Sequence, residues 1–96
     1  MNAHRLKQKL LTYIEENRDK IVSLCVDLVK IPSENPPGDV SEVATYIIDY
    51  LKRHNLDVES YDLGGNNIQL ISRIEGEQEG PSLILYGHMD VVPAGD

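Results

Sequence analysis

Leu83-Ile84-Leu85-Tyr86-Gly87-His88-Met89-Asp90-Val91-Val92-Pro93 is the stretch on which the fold turns. Its first four residues are apolar without alternation, the pattern of a strand covered on both faces rather than one with a wet side. A glycine then lets the backbone approach closely, and two polar residues follow at a spacing of two. Residues two apart on a strand project from the same face, so His88 and Asp90 point into one crevice if strand geometry continues that far. Open α/β sheets place their ligand sites where strands give way to loops. Pro93 stiffens the exit.

Working back from this strand, the period is at first 2. Leu56 to Leu63 reads as a half-exposed strand, Gly64-Gly65-Asn66-Asn67 as a turn, and Ile68, Leu70 and Ile74 as one face of a second strand. Together they predict an antiparallel hairpin. Glu75 to Pro81 is an acidic loop. A phosphate-cradling role for Gly64-Gly65 would need a helix N-terminus after it, and a strand follows instead.

Upstream of Asn55 the period becomes 3.6. Val40, Val43, Ala44, Ile47, Ile48 and Leu51 form an apolar helical stripe. Asp39 and Glu42 resemble a capping box with Asp in place of Ser or Thr. Lys52, Arg53 and His54 close the helix at the negative end of its dipole. His54 therefore reads as a helix-end residue rather than a ligand.

From His4 to Ile31 the spacing is again helical. Leu6, Leu10 and Ile14 mark one face, then Ile21, Leu24, Cys25 and Leu28 another, with the polar run Glu15 to Asp19 between them. Two consecutive helices or one bent helix would satisfy this. Pro32 ends the pattern, and Ser33-Glu34-Asn35-Pro36-Pro37-Gly38 is expected to be a rigid connector, or a loop bordering substrate. Cys25 lies on the apolar stripe, so a packed core thiol is expected, with nothing nearby to activate it. His4 reads as a solvated terminal residue.

The chain has 96 residues, enough for one small domain. Five Tyr with no Phe and no Trp leave Ile, Leu and Val to build any core. A net charge of −7 argues against nucleic acid and against anionic membranes, both of which need a basic patch. One cysteine cannot form an intrachain disulfide. No apolar run approaches the roughly 20 residues of a membrane span, and Met1 to Leu10 has no apolar core of a signal peptide. A cytoplasmic protein is the expectation.

The fold class expected is α/β: N-terminal helices, a hairpin and a buried central strand. Leu83 to Tyr86 needs strands on both sides and cover on both faces, more than three helices and a hairpin can offer. Residues 1–96 are thus expected to be the N-terminal part of a single larger domain. By spacing alone, a histidine at a strand end is more often a hydrogen-bonded structural residue than a metal ligand. One His and one Asp are also fewer ligands than zinc takes.

Gly87-His88-Met89-Asp90-Val91-Val92-Pro93, after its apolar strand, closely resembles the first metal-binding motif of the zinc-dependent aminoacylase and carboxypeptidase family. Leu28-Val29-Lys30-Ile31-Pro32-Ser33 resembles the end of that family's first helix, and Asn35-Pro36-Pro37-Gly38 its following loop. The similarity runs in order along nearly the whole chain. It implies a mixed-sheet, phosphorylase/hydrolase-like zinc peptidase domain that hydrolyses the amide bond of N-acyl amino acids or small peptides. It implies that His88 is a ligand in a two-zinc site, in which cobalt could substitute, and that Asp90 is the catalytic-site carboxylate that orients His88. The remaining ligands, the general base and a lid domain used for homodimerisation would lie beyond Asp96, leaving the 96 residues inactive alone. The competing expectations are a non-catalytic segment that pairs with the rest of the chain or another copy, and a relative that has lost its metals.

Overall fold

The computed structural model describes residues 2–95 and shows three helices and a two-stranded sheet. The chain divides into two compact units, one reaching Lys30 and the other starting at Ile31.

The first unit holds α1 (Ala3–Glu16) and α2 (Arg18–Lys30). Asn2 caps α1 by accepting the Arg5 N–H on its side-chain oxygen at 2.8 Å. The polar interruption resolves into two helices sharing one joint, Asn17. Its backbone N–H donates to the carbonyls of Tyr13 and Ile14, and its side-chain amide donates to Tyr13 at 2.8 Å. Its own carbonyl already accepts from Ile21 in the next helix. One residue thereby satisfies the end of α1 and the start of α2. Neither helix has a buried residue. The expected packed thiol is corrected here: Cys25 is exposed. Helical spacing says which face would be buried, and this face lies open. His4 is exposed, as expected of a solvated residue.

The second unit is built around α3 (Ser41–Arg53) and a hairpin of β1 (Val58–Asp62) and β2 (Ile68–Ser72). The core of this unit sits at the start of α3, where Val40 is 4% exposed, Val43 4% and Ala44 1%. The capping box is displaced by one residue. Val40 occupies the cap position with no side-chain bond, and Glu42 falls second in the helix rather than third. Asp39 does the work from one position earlier, its Oδ1 accepting both the Ser41 N–H at 2.9 Å and the Ser41 hydroxyl at 2.6 Å. These bonds, the hydroxyl first, hold the Asp39 carboxyl below its ordinary value, with the Asn66 amide adding to the effect.

At the other end of α3, Asn55 takes a left-handed φ of 61°. Its N–H donates to Lys52 and that of Leu56 to Leu51, the paired bonds of a Schellman stop. His54 caps this end and its ring lies 4.6 Å from that of Tyr50. The strands then pair antiparallel in the register Val58 with Ser72, Ser60 with Leu70 and Asp62 with Ile68. Gly64, Gly65 and Asn66 all have positive φ, which sets the turn, and Leu63 N–H closes it on the Asn67 carbonyl. Ile74 falls outside β2.

The expected buried central strand is not formed among the described residues. Leu83, Ile84, Leu85 and Tyr86 are 82–91% exposed and belong to no strand. Apolar character states that this run needs cover, and no described element pairs with or covers it. The C-terminal stretch instead makes one isolated parallel bridge, Glu34 with Val91.

Candidate metal-ligand corner at His88

The bridge between Glu34 and Val91 positions the site. Asn35 N–H donates to the Val91 carbonyl at 2.7 Å, and Val91 N–H donates to the Ser33 carbonyl at 3.0 Å. Ser33 is 5% exposed, buried under this contact. The polypeptide before the two prolines is thus laced to the stretch that follows His88. Gly38 N–H closes the loop on the Glu34 carbonyl, with Gly38 at a φ of 83°.

His88 and Asp90, the two residues singled out in the sequence, meet. The ring Nδ1 lies 2.7 Å from the Asp90 backbone carbonyl and 3.1 Å from the Asp90 carboxylate oxygen Oδ1. Both partners are acceptors, so Nδ1 carries the proton and Nε2 keeps the lone pair. The His88 side chain is 73% exposed, and it is not packed among aliphatic residues. The convergence does not need strand geometry, since residues 87 to 90 lie outside any strand.

The residue missed from the sequence is Asn35. Its Nδ2 donates to the other Asp90 oxygen, Oδ2, at 3.1 Å. Asp90 is held below the ordinary carboxylate range, first by this amide and then by His88. The loop expected to be a rigid connector is therefore part of the site. Its signal in the sequence was slight: an amide side chain in a segment pinned by two prolines.

Asn35, His88 and Asp90 border a cleft of about 710 Å³ lined also by Val40 at the cap of α3, Ile47 and Leu51 of α3, and Ile68, Gln69, Leu70 and Ser72 of β2. For a metal ion the fit is that of one corner. His88 offers a nitrogen donor oriented by a carboxylate, the arrangement that fixes tautomer and raises basicity in metal centres. Among the described residues, no three His, Cys, Asp or Glu side chains gather into a set that could hold an ion. His54 and Cys25 play no part here.

The chain is 36% identical over 86 residues to proteins named probable succinyl-diaminopimelate desuccinylase from two strains of Staphylococcus epidermidis, a match covering 90% of this chain and 20% of theirs. It is 27% identical over 110 residues to a Beta-Ala-His dipeptidase of Mus musculus, covering 97% of this chain and 22% of that one. The chain thus spans about a fifth of the length of the curated relatives it matches. No family profile matches it, and no solved structure does. No helix among the described residues is long and apolar enough to cross a membrane. The chain is thus similar to a desuccinylase and a dipeptidase, in line with the resemblance of its Gly87–Pro93 motif to the aminoacylase and carboxypeptidase family.

Proposed function

We propose that these residues are the N-terminal part of one catalytic domain of a metal-dependent amide hydrolase. Its substrates are N-acyl amino acids or small peptides, in reactions of the deacetylase, desuccinylase or carboxypeptidase type. The observation that carries the reading is the His88 ring, whose Nδ1 is spent on Asp90 so that Nε2 is left to bind an ion. His88 is the metal ligand, and Asp90 the catalytic-site carboxylate that holds it. When bound, a pair of zinc ions, or cobalt in their place, would polarise the scissile carbonyl and supply an activated water. What this chain contributes is orientation: Asp90 fixes the ring.

The relatives' names, a desuccinylase and a dipeptidase, favour hydrolysis over a purely structural segment. The working enzyme is proposed to be a cytoplasmic homodimer, inactive when reduced to these 96 residues. The test is to express the chain joined to the rest of its reading frame and assay N-acetyl and N-succinyl amino acids and dipeptides with added zinc or cobalt. Metal-dependent hydrolysis that His88→Ala abolishes is expected. Hydrolysis that needs no metal, or that survives His88→Ala, would overturn the assignment.

A further inference from the structure

We infer that Asn35 is a positioning residue for His88, acting through Asp90 to keep the imidazole proton on Nδ1. The inference rests on the reading of His88 as a ligand, because only then does it matter which nitrogen is free.

Both acceptors of the His88 Nδ1 proton are governed by the segment Ser33 to Asn35. The nearer acceptor, the Asp90 carbonyl at 2.7 Å, belongs to the same peptide unit as the Val91 N–H. That N–H is tied to Ser33. In a planar trans peptide the N–H and C=O point in opposite directions, so anchoring one aims the other. The second acceptor, Asp90 Oδ1, is free to rotate about the side-chain torsions unless its partner oxygen is held. Asn35 Nδ2 holds that partner, Oδ2, at 3.1 Å. With Oδ2 engaged, Oδ1 remains 3.1 Å from the ring nitrogen.

The Asn35 amide is itself seated. A Cβ at Gly38 would lie 3.2 Å from both Cγ and Oδ1 of Asn35 and 3.4 Å from Nδ2, tighter than side chains ordinarily pack. Gly38 thus serves twice, once through its φ of 83° and once by leaving room for the amide. The two bonds at Asn35, one from the backbone and one from the side chain, bring its chain to the Asp90-Val91 stretch across 55 positions of sequence.

The experiment reads the His88 ring directly in the metal-free 96-residue chain. Its ¹⁵N ring shifts, recorded at a pH where the imidazole is neutral, report the ratio of the two tautomers. Wild type is expected to hold the proton almost wholly on Nδ1. Asn35→Ala should raise the Nε2-protonated fraction several-fold, and Asn35→Asp, which keeps the shape but offers no N–H, should do the same. The Val91 amide signal serves as control for the backbone bridge, which Asn35→Asp leaves intact. A merely structural role for Asn35 would leave the Asn35→Asp ring shifts at wild-type values, and that result overturns the inference. Zinc added to the full-length protein, where the remaining ligands are expected, tests the ligand reading separately: Nε2 should move while Nδ1 stays protonated. A ring indifferent to zinc with a tautomer that still follows Asn35 would sink the ligand reading and leave the positioning intact.

Discussion

The carboxylate of Asp39 accepts the side-chain amide of Asn66 at 3.1 Å, joining the entry of α3 to the tip of the hairpin 27 residues later. Alongside it the Val40 N–H donates to the Asn66 carbonyl at 3.2 Å. The wall of the cleft made by Val40 and the wall made by Ile68 are therefore set by one small knot of polar groups.

Asp39 should make this knot sensitive to acid. Its folded pKa lies below the ordinary 3.8, so its contribution is whole above that value and is lost as pH falls through the lowered one. Amide exchange at Ser41 and Val40 should accelerate on acidification through that range. Asp39→Ala should show the acid-state exchange already at neutral pH. Protection that ignores both changes would contradict the assignment.

Asn66 carries a φ of 62°, a region that β-branched residues avoid. Asn66→Val should destabilise the second unit by about 1–2 kcal/mol from the backbone alone. Asn66→Gly should relieve the strain and lose only the bond to Asp39. Urea unfolding of the two variants gives the order, with Val the less stable.

Ala44 is buried, 1% exposed, in the small core with Val40 and Val43. Ala44→Leu should cost about 1–3 kcal/mol by overpacking, whereas the same exchange at an outward position of α3 such as Thr45 should cost little. Denaturant midpoints decide between them.

On the proposed reading of His88 as a zinc ligand, Asp90→Ala should weaken zinc binding to the full-length protein by roughly 10- to 100-fold, the usual effect of removing a group that orients such a ligand. Asp90→Asn should fall between this variant and wild type, because the amide oxygen still accepts but carries no charge. Calorimetric titration measures both.

Leu83, Ile84, Leu85 and Tyr86 expose a contiguous apolar run, and such patches drive association. The 96-residue chain should self-associate as concentration rises, and Leu85→Lys should suppress this. Sedimentation of the two proteins is the measurement.

Much of the second unit could be read in advance, for a common reason. α3 and the hairpin are specified by local chemistry: a 3.6 period with cationic residues at its close, then a period of 2 broken by Gly64-Gly65-Asn66-Asn67. The same local logic misplaced the cap by one residue, because Asp39 can reach Ser41 from outside the helix as well as from the cap position. It also assigned burial to Cys25 and to Leu83–Tyr86. An apolar pattern states a demand for cover and cannot state whether the cover is met. The meeting of His88 with Asp90 was legible because two residues suffice to describe it. Asn35 was not, since a single amide 55 positions away leaves no periodic trace.

The three left-handed residues at the hairpin tip act as a ruler. Ile68 and Leu70 are half-buried while Gln69 between them is exposed, and alternation means that a one-residue change in loop length would exchange the two sets. Deleting Gly65 would thus turn the half-buried apolar side chains of β2 outward without altering any residue of the strand itself.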